Sequence, residues 1–314
     1  MKNRSTMAKH VDEYLAVRRS LGFELTVSGT QLRSFATFAD KTAPGRSLTL
    51  EIALTWAQKS DGAYPARRLE TLRPFARYLS ILDAHTEIPP KGILGPARRR
   101  LQPYIYSDAE IGAVLDAAEH VSPAGGLRAK ALRTYFGLLV ATGMRPREPL
   151  RLIRKDVDLD TGTVRIRNTK FSKSRLVVLH GTVNQRLRAY AQERDQAQNR
   201  PKSEAFFLLD DGTPLTYRKA AYAFLRIREK QKWRATGGRP APRLYDFRHT
   251  FVCRRLLSWY SEGVDVHASI SALSTYLGHV KVTDTYWYVT GIPELLEIAA
   301  SRFERFIETG KRER

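Results

Sequence analysis

Four short segments hold the residues whose types could do chemistry together. The first is Thr142-Gly143-Met144-Arg145-Pro146-Arg147-Glu148. Gly143 can end one helix, and Pro146 suits the first turn of the next. Arg145 would then stand at a helix mouth, where backbone N–H groups and a planar guanidinium can converge on one phosphate. Glu148, in that first turn, can orient an arginine or satisfy the helix end. The plainer reading is a capped helix start with a surface arginine. The second segment carries Lys170, Lys173 and Arg175 around a polar turn at 169–174. A lysine at a hairpin tip either faces solvent or reaches into a groove as a mobile proton donor. The third is Arg243-Leu244-Tyr245-Asp246-Phe247-Arg248-His249. Asp246 is placed to N-cap a helix that buries Phe247, Phe251 and Leu256. His249 reads as a satisfied core or cap histidine rather than a catalytic one. The fourth is Leu277-Gly278-His279, followed by Tyr286 and, nine residues after the histidine, Tyr288.

Two regions of different character must position these groups. Residues 1–85 read as helices. Apolar stripes run through Val11, Tyr14 and Leu15, then Leu32, Phe35, Phe38 and Ala39, then Leu50, Ala53, Leu54 and Trp56. Ser60-Asp61-Gly62 closes the third. The clearest stripe is Leu69, Leu72, Phe75, Ala76, Leu79 and Leu82, and Pro74 inside it should kink or split the helix. Arg67, Arg68, Arg73 and Arg77 ride mostly off that stripe, as a solvated basic face or as phosphate contacts. Residues 86–103 contain Pro89-Pro90, Gly95-Pro96 and Arg98-Arg99-Arg100 and read as a basic interdomain linker. Its arginines either track a DNA backbone or keep the linker solvated. Residues 104–314 are mixed. Ser107 and Glu110 resemble a capping box. Leu132, Tyr135, Phe136 and Leu139 form an apolar helix stopping at Gly143. Val164 and Ile166 alternate opposite Val177 and Leu179, as a β-hairpin does. Helical patterns return after residue 183, broken near 237–240. The expected fold is mainly α with a small antiparallel β-sheet: a helical N-terminal domain and a mixed α/β second domain.

Composition narrows the chemistry. The length of 314 residues suits two domains, and at 42% hydrophobic the chain can bury at least one full core. Lys and Arg number 53 against 32 Asp and Glu, a formal charge of +21 that suits a polyanion, nucleic acid first and an acidic membrane surface second. The most apolar run, 135–141, is too short to span a bilayer. The basic N-terminus has no apolar run behind it, which argues against a signal peptide. A single cysteine, Cys253, excludes an intrachain disulfide and a four-cysteine zinc site. The seven histidines show no ligand spacing. Asp156, Asp158, Asp160 and Gly162 imitate a calcium loop, but the glycine is one place late and Arg167 stands where a bidentate Glu is needed. That stretch reads as the polar turn before the hairpin. No Gly-rich ATP loop occurs. The expectation is a soluble, reducing-compartment protein that touches nucleic acid, with no metal or cofactor site indicated.

Taken in order, the four segments resemble the tyrosine recombinases, the lambda-integrase-type site-specific recombinase and phage integrase family. The resemblance covers the whole chain, with residues 1–85 similar to the core-binding domain and 104–314 to the catalytic domain. Thr142-Gly143-Met144-Arg145-Pro146-Arg147-Glu148 looks like the first arginine motif. The resemblance implies Lys170 as the hairpin lysine, Arg248 as the second arginine, His279 as the histidine of Leu-Gly-His and Tyr288 as the nucleophile. Two positions depart from the pattern. Tyr245 stands where the family usually has His; tyrosine can donate one hydrogen bond but, with a reference pKa of about 10, is a poor base near neutrality. Pro149 follows Glu148 where an apolar helix former is usual. The Tyr286-Trp287-Tyr288 ending looks like a transposon-borne branch.

What the resemblance implies is a metal-free and ATP-free phosphoryl transfer on double-stranded DNA. Arg145 and Arg248 would stabilise charge on the non-bridging oxygens, with His279 and Tyr245 as further donors. Tyr288 would form a 3′-phosphotyrosyl link, Lys170 would protonate the departing 5′ oxygen, and Glu148 would position an arginine. Lys173 and Arg175 would add DNA contacts. A homotetramer, or a mixed tetramer with related recombinases, would exchange strands on paired sites, with the helix at 293–307 docking on a neighbour or on its own domain. Two rivals stand beside this: a type IB topoisomerase-like enzyme, and a catalytically silent DNA-binding accessory protein.

Overall fold

The computed structural model describes residues 6–59, 64–97, 103–167, 174–198, 201–235 and 240–290. The chain divides into two compact units, Met1–Arg100 and Leu101–Arg314. The first is built from α1 (Met7–Ser20), α2 (Thr26–Thr42), α3 (Leu50–Gln58) and α4 (Pro65–Leu82). Thr6 and Thr49 cap α1 and α3 through their hydroxyls, and Pro65 opens α4 where its missing N–H costs nothing. The core gathers Tyr14, Leu15, Phe35, Trp56, Leu72 and Phe75. Pro74 does not split α4, which runs through it. An interior proline costs about 3 kcal/mol. The buried residues on either side, Leu69, Leu72, Phe75, Ala76 and Leu79, include several worth about 1.5–3 kcal/mol each, and Pro74 itself is exposed.

Residues 86–97 are not a free linker; they pack on the first unit. Glu87 N–H donates to the Leu48 carbonyl at 2.8 Å, and Leu94 lies against the core. Arg73 donates to the Pro89 carbonyl. The prolines and glycines rule out helix here, but not docking. Arg98, Arg99 and Arg100 lie outside the described residues, as does the expected stop at 60–62.

The second unit is mainly helical, with one small sheet. Its elements are α5 (Asp108–Glu119), α6 (Leu127–Thr142), β1 (Val157–Asp158), β2 (Thr163–Ile166), β3 (Arg175–Val178), α7 (Gly181–Ala197), α8 (Tyr217–Lys230), α9 (Asp246–Ser261), α10 (Val266–Leu277) and α11 (Thr283–Thr290). The capping box before α5 is present in both directions between Ser107 and Glu110. The sheet is antiparallel in the order β1-β2-β3, with Val164 opposite Val177. Strand β1 is an addition to the expected hairpin: the acidic stretch read as a turn pairs Val157 with Val164. There Asp156 is ion-paired with Arg167, and Asp158 accepts two turn N–H groups. Helix α6 is the spine of this unit, packing on α5, α7 and α9. Its Leu132, Tyr135, Phe136 and Leu139 meet Phe207, Phe224 and Phe247 in the core. No helix among the described residues is long and apolar enough to cross a membrane.

Candidate active site

Two helix C-termini frame the site. Helix α6 ends at Gly143 with φ +61°, and α10 ends at Gly278 with φ +68°. Both conformations belong to glycine. Neither position tolerates a side chain sterically: a Cβ on Gly143 would stand 2.5 Å from the Phe251 ring, and one on Gly278 2.9 Å from the Arg175 guanidinium. The last carbonyls of a helix lack intrahelical partners and carry its negative dipole end. Here arginines satisfy them. Arg248 donates to the carbonyls of Gly143 at 2.9 Å and Leu277 at 2.8 Å, and Arg145 donates to the Gly278 carbonyl at 2.9 Å. The two arginines that sequence alone placed far apart therefore bind successive carbonyls immediately before His279.

Arg145 does not sit at an α-helix mouth, as expected. After Gly143 the chain makes a turn closed by Glu148 N–H to the Arg145 carbonyl at 2.8 Å, then a single 3₁₀ turn at Pro149–Arg151. Pro146 and Pro149 both withhold N–H groups, which prevents a longer helix. Glu148 does the positioning instead. Its carboxylate accepts from the Arg145 N–H at 2.9 Å and the Arg145 guanidinium at 3.0 Å. It also accepts a bidentate pair from Arg175 at 3.0 and 2.7 Å. Burial alone would raise its pKa, but the Arg175 hydrogen bonds and charge, followed by Arg145, hold it below the ordinary value. The expectation of Arg175 as a DNA contact is corrected: its side chain is 12% exposed and is engaged with Glu148 and the Tyr276 carbonyl.

Helix α9 contributes the next group. Asp246 is its first residue rather than its N-cap, and its fully buried carboxylate accepts the Arg243 N–H and guanidinium. Arg248 is completely buried, and burial followed by the charge of Arg145 lowers it to about 10, which leaves it charged near neutrality. Its Nε is buried without a hydrogen-bond partner among the described residues. His279 accepts or donates at Nδ1 with Thr285 Oγ1 at 2.7 Å. Burial, then Arg248 and Arg145, push it down to about 4, so the ring is neutral near pH 7. Tyr288 is 3% exposed in the cluster of Val252, Leu256, Leu273 and Leu277, whereas Tyr286 is on the exposed side of α11.

His249, set aside on sequence as a core or cap histidine, belongs to this group. Its Nδ1 lies 2.7 Å from the Tyr288 hydroxyl. The signal that could have found it is the Asp246–His249 spacing, which puts both on one helix face. Thr285, the partner of His279, was also missed; a lone threonine carries no such signal. Tyr245 is 40% exposed, with its ring edge-on to His249 at 5.1 Å. Lys170 and Lys173 lie outside the described residues, as does 293–307. In the N-terminal unit Arg67 and Arg77 are exposed, but Arg68 stacks on Trp56 at 4.0 Å and Arg73 is held by Pro89. Those two have structural employment.

Chemically, Arg145 and Arg175 share the Glu148 carboxylate while Arg248 is held by backbone carbonyls, beside two neutral imidazoles and one buried phenol. Such a cluster has positive charge in excess and suits an anion with several oxygens. Residues 107–292 match the phage integrase family. The chain is 39% identical over 310 residues to y4rB of Sinorhizobium fredii, a protein named as an integrase/recombinase, covering 96% of this chain and 98% of that one. It is 28% identical over 248 residues to the XerC tyrosine recombinase of Chromobacterium violaceum, covering 79% and 76%. Among solved structures it shares the fold of the Tn1549 transposon integrase in complex with transposon right end DNA, with TM-score 0.69, 17% identity and coverage of 96% and 100%. The XerH site-specific recombinase bound to a difH substrate matches with TM-score 0.66, 18% identity and coverage of 96% and 86%.

Proposed function

The chain belongs to the phage integrase family, and from that premise we propose that it is a site-specific DNA recombinase that cuts and rejoins strands through a 3′-phosphotyrosine on Tyr288. The observation that carries this reading is the convergence of Arg145 and Arg248 on the carbonyls preceding His279, with Tyr288 buried beside Arg248's own helical turn. A phosphodiester repels nucleophiles with its own charge. Arg145 and Arg248 offset that charge on the non-bridging oxygens, and do so best when it grows in the transition state. Glu148 and the two helix ends hold both guanidinium groups before substrate arrives, so little reorganisation remains. Burial leaves His279 neutral, with one ring nitrogen on Thr285 and the other able to donate. Tyr288 attacks phosphorus, the bond to the 5′ oxygen breaks, and Lys170 supplies that oxygen with its proton. The phosphotyrosyl link keeps the bond energy, so a second 5′ hydroxyl can reverse the step without ATP.

Double-stranded DNA is the partner, and a tetramer on two sites is the assembly. Similarity to a transposon integrase supports a role in moving a mobile element. The test uses supercoiled plasmids carrying two copies of the DNA that flanks the chain's own gene. A recombinase produces Holliday junctions and recombinant circles. Relaxation without junctions would favour the topoisomerase-like rival, and binding without any covalent adduct would favour the accessory protein.

A further inference from the structure

Tyr288 must lose a proton to become a nucleophile, and at a reference pKa of about 10 it does so poorly on its own. The position where the family usually carries histidine holds Tyr245, a phenol that offers no imidazole nitrogen to accept the proton. One helical turn further along α9 stands His249, whose Nδ1 is 2.7 Å from the Tyr288 oxygen. We infer that His249 is a catalytic residue: the general base that takes the Tyr288 proton during cleavage and returns it during religation. The inference rests on Tyr288 being the nucleophile.

The step balances on the residues named. The Tyr288 O–H proton passes to His249 Nδ1, the phenolic lone pair forms the O–P bond, and the P–O5′ bond breaks with its electrons on the 5′ oxygen. Religation reverses each transfer, with imidazolium protonating the departing phenolate. The geometry suits this use. Hydrogen-bond reach is the first requirement of a base, and 2.7 Å meets it. Tyr245 packs edge-on to the imidazole from the preceding turn and Trp287 approaches from α11, which fixes the ring plane. Asp246 Oδ1 lies 4.0 Å from the other ring nitrogen, so a carboxylate faces the proton that Nε2 must keep if Nδ1 is to accept.

The charges around the ring decide its state. Burial, followed by Arg243 and Arg248, lowers His249, while Asp246 raises it; the result is about 4. The free protein therefore holds His249 as the neutral, accepting form near pH 7. A phosphate arriving at Arg145 and Arg248 brings negative charge to the same site. That charge favours imidazolium and raises the basicity of His249 when the proton has to move.

The test separates this role from the leaving-group proton. A nicked duplex with a 5′-bridging sulfur at the scissile phosphate loses a thiolate, which needs no acid. Its covalent trapping rate reports proton removal from Tyr288. His249→Asn keeps an acceptor near the position of Nδ1 but cannot take a proton. The expected result is a wild-type rate level from about pH 7 to about pH 9, and a His249→Asn rate lower by about 10²–10⁴-fold at pH 7 that climbs about tenfold per pH unit. A His249→Asn rate within about threefold of wild type, with normal DNA binding, overturns the assignment. If that variant does not fold, the wild-type profile decides: a level rate supports the base, and a climb of about tenfold per unit to pH 9 removes it. Absence of any wild-type adduct on bound DNA sinks the recombinase reading itself, whereas a wild-type adduct indifferent to His249 sinks only this inference.

Discussion

Glu148 shows how much one side chain can organise. It is 8% exposed and accepts four hydrogen bonds, three of them from guanidinium groups. Removing one partner of a buried ion pair costs about 3–5 kcal/mol because the other charge is left stranded. Glu148→Gln would also point an amide donor at Arg145 or Arg175. Urea unfolding should show a loss of that order, and cleavage should fall along with it as Arg145 loses its anchor. An unchanged unfolding midpoint would mean that the arginines are held by the helix carbonyls alone. At this scale the sequence was legible where residue type and spacing are both unusual. Arg145, Glu148, Arg248, His279 and Tyr288 stand in motifs, and the structure brings them together. His249 and Arg175 have partners that the sequence does not reveal, for the same physical reason. A histidine or arginine looks alike in sequence whether it faces solvent or a partner supplied from a distant segment, here Tyr288 for the one and Glu148 for the other.

Among the elements, the two glycine-capped helix ends matter more than the sheet. Gly143 must adopt a left-handed conformation and must also leave room for Phe251. Gly263, in the turn between α9 and α10, is left-handed at φ +77°, but an added Cβ would meet nothing within 4 Å among the described residues. Alanine at either site incurs the left-handed penalty of about 1–2 kcal/mol. At Gly143 overpacking adds about 1–3 kcal/mol more. Thermal unfolding should therefore place Gly143→Ala clearly below Gly263→Ala, and equal losses would contradict the close approach of α6 and α9. Helices were readable from apolar stripes and caps, as at Ser107 and Gly143, because those signals are local. Elsewhere tertiary context overrides a local rule. Pro74 sits in an intact helix because its neighbours are buried, and residues 86–97 pack down despite their breakers. Strand β1 has two residues, too few for an alternating pattern to appear.

For the whole molecule, the charge of +21 is the largest feature that composition alone reveals. It argues that affinity for DNA is mainly counterion release, which depends steeply on salt. Binding to a duplex should weaken by about 10³–10⁵-fold between about 50 mM and 200 mM salt if the protein covers 6–10 phosphates, the range for such a footprint. A flat dependence in a filter-binding titration would leave the excess charge without that use. Charge says nothing, however, about chemistry, and a basic accessory protein would titrate in the same way. What separates an enzyme from such a protein is a covalent bond at one named atom. The most direct measurement is mass spectrometry of the denaturant-resistant adduct trapped on nicked duplexes tiled across the DNA flanking the gene. The expected product is a peptide carrying a 3′-phosphate-linked nucleotide on Tyr288, absent from the Tyr288→Phe protein and unaffected by Tyr286→Phe. A nucleotide on Tyr286 or on any other residue, or bound DNA that never becomes attached, would contradict it.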